Sequence, residues 1–280
     1  MSWTFTTDPE LYADRVLALL TSRPEANTLP LTVLETVRAG QQFGAAAPLF
    51  GWYAGDSSVT GAVSMTPPYG LLLAEVPAGS EADLVERLRQ DQVEVPDVAG
   101  ELATVDRFVA HWTKGTALTT EVLLRQRLYR LDGLRQPPNP PPGSARPATE
   151  ADLDLVMDWM LAFQQEAEPR SMAPASSIYQ RRAALGLLWF WCDVAGQPVA
   201  FAGRNVEVAG ASRIGPVYTP PPFRQRGYGA AATHACSQDA LDQGAQAVLL
   251  FTDLANPTSN SVYRSLGYRP VDERIIVKFD

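Results

Sequence analysis

The stretch from Ile214 to Asp242, IGPVYTPPPFRQRGYGAAATHACSQDALD, constrains this chain more than any other. Ile214 to Thr219 is apolar and β-branched enough for a buried strand, and Pro220, Pro221 and Pro222 end it because proline has no N–H for a sheet ladder. Arg224-Gln225-Arg226-Gly227-Tyr228-Gly229 must then turn the chain, and the alanine-rich run from Ala230 continues as a helix. A helix starting at a strand end presents free amides and its positive dipole end there, and two arginines add charge. That arrangement predicts an anion site suited to a diphosphate. The turn has neither the Lys-Ser/Thr of a Walker loop nor the G-x-G-x-x-G of a dinucleotide fingerprint.

A second apolar strand, Ala247 to Thr252, leads through Asp253-Leu254-Ala255 into a run from Asn256 to Tyr268. Pro257 suits a first helical turn and Gly267 a C-terminal cap. These two stretches together resemble the GNAT family of N-acetyltransferases. Arg224, Gly227 and Gly229 match its Arg/Gln-x-x-Gly-x-Gly/Ala turn, and Asn256, Tyr263 and Gly267-Tyr268 match its second motif in type, spacing and order. The resemblance covers about Arg146 to Asp280.

The resemblance implies acetyl-CoA as acyl donor and no metal. The backbone from Gln225 through Arg226, Gly227, Tyr228 and Gly229 to Ala230 would wrap the CoA pyrophosphate, beside Arg224, while Val217, Tyr218 and Thr219 would hydrogen-bond the pantetheine arm. Asn256 would position pantetheine or a water, and Asn260 and Tyr263 would complete the cofactor side. Acyl transfer to an amine needs a neutral amine, a polarised carbonyl and a stabilised departing thiolate. The backbone amide near Val217 would meet the second need and Tyr263, as acid, the third. No motif marks a base; Glu207 and Asp253 are the candidates, with Glu166 acting through water a further possibility. Phe163 and Glu166, near the end of a helix, would face the acceptor, a primary amine of a small molecule or peptide. The alternative is an inactive acyl-CoA-binding sensor or partner subunit.

The chain has 280 residues, enough for two domains, and 46% of them are hydrophobic. Its net charge is -8, and the acidic excess sits in residues 1–144, with 11 Lys and Arg against 17 Asp and Glu; this argues against nucleic acid and anionic membrane as partners. Two cysteines and two histidines make no metal spacing or disulfide framework, and no apolar run approaches eighteen residues; a cytoplasmic monomer or homodimer is the expectation.

The first half predicts helices over Pro9–Leu20 and Thr32–Arg38, an antiparallel meander of Leu49–Ala54, Val59–Met65 and Leu71–Val76, a helix over Ser80–Gln90, a strand at Val93–Val95, a helix over Ala99–Thr113 and a closing element at Glu121–Leu131. The second half predicts the same order. Thr149 caps a helix that Glu166 and Glu168 end and Pro169 breaks; Ser177–Ala184 is a second helix, and Leu187–Val194, Pro198–Val206 and Arg213–Thr219 are the meander. Alternation sends Trp189 and Trp191 to one face and Phe190 to the other. The expected fold class is therefore α/β (α+β), two tandem GNAT-like domains, each a mixed, mostly antiparallel sheet flanked by helices. Residues 1–135 form a degenerate copy lacking both motifs, structural or acceptor-shaping. Residues 136–144, with five prolines, form a stiff linker, and 145–280 the acetyl-CoA-binding domain.

Overall fold

The computed structural model describes residues 1–55, 58–167 and 176–280. Asp56 and Ser57 of the first meander turn, and Glu168 and Pro169 after the first helix of the second half, lie outside the described residues. Contacts divide the chain into a first unit, Met1–Arg127 with Asp272–Asp280, and a second, Leu128–Val271.

The first unit runs β1 (Ser2–Thr6), α1 (Pro9–Thr21), α2 (Thr28–Arg38), β2 (Leu49–Ala54), β3 (Val59–Met65), β4 (Leu71–Glu75), α3 (Glu81–Gln90), β5 (Asp97–Glu101), α4 (Leu102–Trp112) and β6 (Thr120–Leu131), whose last four residues belong to the second unit. Asp8 starts α1 by accepting from the Glu10 and Leu11 amides, with Pro9 in the first turn, where its missing N–H costs nothing. β1 to β4 pair antiparallel in sequence, β5 joins β4 in parallel, and Arg274–Lys278 pair antiparallel with β5. Leu71, Leu73 and Val98 on the sheet bury against Leu84, Leu88, Val105 and Phe108 on the helices.

The strand expected at Val93–Val95 lies instead at Asp97–Glu101, and α4 starts at Leu102 rather than Ala99. Pro96 separates the two positions. The true strand is disguised by Gly100, which lies so close to β4 that a Cβ there would stand 3.0 Å from the Leu73 carbonyl oxygen. The edge strand β1 was not anticipated, nor was its counterpart in the second unit.

The second unit repeats the order: β7 (Ser144–Pro147), α5 (Leu153–Ala167), α6 (Ser176–Ala184), β8 (Leu188–Cys192), β9 (Pro198–Arg204), β10 (Ala211–Tyr218), α7 (Tyr228–Asp242), β11 (Ala247–Asp253), α8 (Pro257–Ser265) and β12 (Tyr268–Phe279), which ends in the first unit. Thr149 and Asp152 form a capping box in the single 3-10 turn that leads into α5, and Arg146 grips both oxygens of the Asp152 carboxylate at 2.8 Å. β7 to β10 pair antiparallel and β11 joins β10 in parallel. Phe190 and Phe201 pack under α5 with Val156 and Met160, while Trp189 and Trp191 pack on the opposite face with Ala232 and Cys236 of α7, as strand alternation requires.

The proline stretch does not stand between the units. Residues 136–144 fall wholly within the second, and Pro137 and Pro141 are buried. Rigid rings with no N–H to satisfy can pack against a surface as readily as span a gap. No helix of the described residues is long and apolar enough to cross a membrane.

Candidate functional site

β10 and β11 separate. Their ladder runs from Ala211 opposite Ala247 to Ile214 opposite Leu250 and stops, although β10 continues to Tyr218 and β11 to Asp253. The cause is Gly215-Pro216. Gly215 takes φ +151°, Pro216 has no N–H to offer, and the register with β9 shifts between Ile214 and Val217. Val217 and Tyr218 on one side, and Thr252 and Asp253 on the other, thus flank a wedge.

Past Tyr218 the chain makes a single 3-10 turn, Pro221–Phe223, then enters α7 through two left-handed residues, Gln225 at φ +61° and Gly227 at φ +81°. The first bond of the helix is from the Ala231 amide to the Gly227 carbonyl. Among the described residues, no backbone or side-chain oxygen takes the amides from Gln225 to Ala230. A row of free donors at a positive helix end is an anion cradle. Gly229 faces Thr219, whose Oγ1 stands 3.0 Å from where a Cβ would be. Arg226 is exposed at the rim of the turn.

Arg224 does not point into this cradle. Its Nε donates to the Thr219 carbonyl at 2.9 Å and its Nη2 to both Glu166 oxygens at 2.9 and 2.6 Å, while the Tyr218 hydroxyl donates to Glu166 Oε1 at 3.2 Å. Phe163, one turn earlier on α5, packs in the same cluster as Tyr218. Phe163, Glu166 and Tyr218 are therefore gathered at the end of β10.

The end of β11 is held by its own turn. Asp253 Oδ1 accepts from the Ala255 amide at 2.8 Å, and the Asp253 carbonyl accepts from the Asn256 amide at 3.1 Å. Asn256 caps α8 by accepting from the Ser259 amide at 3.0 Å. Asn260 is consumed by the fold: Nδ2 donates to the carbonyls of Asp253 and Asn256 at 2.8 and 2.7 Å, and Oδ1 accepts from the Tyr129 hydroxyl at 3.0 Å. Both ends of the amide expected to bind cofactor are thus engaged within the fold. Tyr263 is buried, meets Tyr268 edge to face at 6.2 Å, and makes no side-chain hydrogen bond among the described residues; burial pushes its phenol up to about 12.

Glu207 is in the wrong place for a base. It is exposed in the hairpin before β10, and the wedge opens at the other end of that eight-residue strand, roughly 20 Å away at about 3.3 Å per residue. Sequence reasoning left Glu207 between the second and third strands of the meander without showing at which end of the third strand the wedge would open. It also missed Gly215-Pro216, whose pairing of a free-φ residue with a donorless one was the available signal for the wedge.

The matching turn of the first unit is closed by its own side chain. Gly79, at φ +93°, donates its amide to Glu81 Oε2 at 2.7 Å, and Glu81, 1% exposed, is also bonded to Arg107. A carboxylate of the fold thus takes this turn's Gly79 amide.

The model of the Acetyltransferase (GNAT) family matches residues 153–268, which hold the wedge, the cradle and α8. Residues 153–268 are a GNAT domain. An uncharacterized N-acetyltransferase of Methanocaldococcus jannaschii is 29% identical over 96 residues, 32% of this chain and 41% of the relative, so the match spans well under half of that protein. Among solved structures, a Drosophila protein covers 99% of this chain and 98% of its own with TM-score 0.71 at 14% identity. A tandem GNAT protein from the clavulanic acid biosynthesis pathway covers 99% and 98% with TM-score 0.60 at 13% identity. The likeness to these two is one of fold, and it extends over both units: the chain is a pair of tandem GNAT-like units, of which the second carries the family's sequence.

Proposed function

We propose that the second unit transfers acetyl from acetyl-CoA to a primary amine of a small molecule or peptide by direct attack, with no covalent enzyme intermediate and no metal, in a cytoplasmic monomer or homodimer. GNAT proteins generally use acetyl-CoA, and the observation that carries the reading here is the parting of β10 from β11 beside an unclaimed row of amides. The pyrophosphate would lie on the amides of Gln225 to Ala230, with Arg226 at the rim, and the pantetheine would run along Val217, Tyr218 and Thr219 into the wedge. The amide near Val217 would hold the thioester oxygen as it becomes an oxyanion.

Tyr263 would serve the departing thiolate. A phenol near 12 stays protonated at neutral pH, but full transfer to a thiolate of ordinary pKa about 8.5 is uphill by about 5 kcal/mol, so its role is to donate a strong hydrogen bond. Asp253, at the mouth of the wedge, is the base that replaces Glu207; one of its oxygens holds the Ala255 amide and the other is available to the amine directly or through water. Asn256, although a helix cap, is exposed and keeps its Nδ2 for pantetheine or a water. Phe163 and Glu166 would border the acceptor.

The test is Tyr263→Phe, assayed for thiol release and titrated with acetyl-CoA by calorimetry. Affinity near that of the unaltered protein with turnover lowered at least tenfold is the expected result. Unchanged turnover removes Tyr263 from the mechanism, and binding without turnover in the unaltered protein favours an acyl-CoA-binding sensor or partner subunit.

A further inference from the structure

Arg213 stands at the root of the wedge with no counter-charge among the described residues. It lies on β10 opposite Leu249, one residue before the ladder with β11 ends, and its guanidinium sits over the Phe251 ring at 5.8 Å. Asn205 fixes its backbone from both sides, accepting from the Arg213 amide at 2.6 Å and donating to its carbonyl at 3.0 Å. The neighbouring Ile214 faces α7, so Arg213 faces the other side of the sheet, where Ala211, Leu249 and Phe251 form an apolar floor. Nη1 of Arg213 is buried and has no hydrogen-bond partner.

Among the described residues no carboxylate offsets this charge. Arg182 of α6 adds a second positive group within electrostatic reach of Arg213 and also of Arg204 and Cys236, and its guanidinium makes no ion pair among the described residues, only a contact over the Tyr179 ring at 5.8 Å. By contrast Arg204, on the α7 face, is neutralised by Asp239 at 2.7 Å. Burial first, and Arg182 second, push the Arg213 guanidinium down to about 9. Arg213 as a whole is half-buried, but an N–H orphaned inside is costly, and a second cation nearby raises the cost. An incoming anion would offset both.

We propose that Arg213, supported by Arg182, receives an oxyanion carried by the acceptor, so that the substrate is a small amine bearing a carboxylate or phosphate a few atoms from its nitrogen. The planar fork of arginine suits either group. Val217 lies four residues on from Arg213 along β10, about 13 Å, and the guanidinium leans over Phe251. That spacing fits a short amine whose charged end is held while its nitrogen reaches the thioester. The identification of the oxyanion as part of an acceptor rests on the acetyltransferase reading; the anion site itself does not.

The experiment has two arms. In the first, melting temperature is followed with succinate or inorganic phosphate against chloride at matched ionic strength, in the unaltered protein, Gly227→Asp, Arg213→Met and Arg182→Gln. The expected result is an anion-dependent rise of several degrees that survives in Gly227→Asp, where the cofactor cradle is spoiled, shrinks in Arg182→Gln and is absent in Arg213→Met, which melts in chloride no lower than the unaltered protein. A rise that persists in Arg213→Met, or that disappears in Gly227→Asp, overturns the proposal. If Arg213→Met does not fold, Arg182→Gln decides by the same criterion. In the second arm an amino acid, its carboxamide, the decarboxylated amine and a phosphorylated amine of equal length are offered as acceptors. At least a tenfold preference in kcat/KM for the anionic members, lost in Arg213→Met, is expected; equal use of the neutral amine overturns the assignment. Absence of transfer to every amine, with the anion-dependent shift still tracking Arg213, refutes the acetyltransferase reading and leaves the anion site standing.

Discussion

The carbonyl oxygen of Asn139 lies 3.3 Å from where a Cβ would stand on Gly227, with Pro141 Cδ at 3.6 Å. The proline stretch is thus one wall of the turn proposed for the pyrophosphate. Gly227 also holds φ +81°, a left-handed value that costs other residues roughly 1–2 kcal/mol. Gly227→Ala should lower stability by about that much and weaken acetyl-CoA. Gly227→Asp should abolish acetyl-CoA binding by setting a carboxylate against the diphosphate. Calorimetric affinity retained in Gly227→Asp would falsify the placement of the cofactor.

Asn260 ties α8 to β11 and to Tyr129 through three side-chain bonds. Asn260→Ala should destabilise the fold by about 2–4 kcal/mol, because it leaves buried partners unpaired as well as a small void. Tyr129→Phe removes one of the three and should cost about 1 kcal/mol. Urea denaturation of both variants checks the ordering; equal, small losses would return Asn260 to the list of groups free to bind ligand.

Glu207 and Asp253 can be separated by charge-removing substitutions that keep shape. Glu207→Gln, far from the wedge, should leave kcat within twofold. Asp253→Asn retains the Oδ1 acceptor for the Ala255 amide, so the turn persists while the base is lost. Turnover should fall at least tenfold. A tenfold loss in Glu207→Gln instead would reverse the two assignments.

Alkaline pH should destabilise the protein through its buried phenols. Tyr263 is raised from 10 to about 12 by burial, so between those values the folded chain holds a proton that the unfolded chain has released. Stability attributable to this group is intact below pH 10 and falls as pH climbs through about 12, by about 3 kcal/mol in all. Denaturation curves at pH 9 and pH 11.5 should therefore diverge less for Tyr263→Phe than for the unaltered protein. Parallel behaviour of the two would mean that the phenol is not buried in solution.

Much of this was legible in the sequence because local chemistry and tertiary role agree. The Pro220-Pro221-Pro222 stop, Gly227 in the left-handed region and the Asn256-Pro257 start of α8 each act over a few residues, and each is where the motifs put it. The repeat of element order was readable for the same reason. What escaped depends on long-range pairing. β1 and β7 are short edge strands whose identity comes from their partners, and β5 carries a glycine where Leu73 presses close. Asn260 matched the pattern expected of a cofactor ligand, yet its bonds run to Tyr129, far away in sequence. Arg213 was legible only as the first residue of a strand, since its orphaned Nη1 is visible in three dimensions alone.

Asp272–Asp280 belong with the first unit, where Ile275, Val277 and Phe279 enter its core and Arg274–Lys278 lie along β5. A gene cut at the proline stretch would therefore yield two damaged products. The C-terminal product would trail a greasy, unaccompanied tail, and the N-terminal one would expose a raw strand to its neighbours in solution. Loss or exchange of one copy is hindered in the same way, so each half is inherited as a condition of making the other.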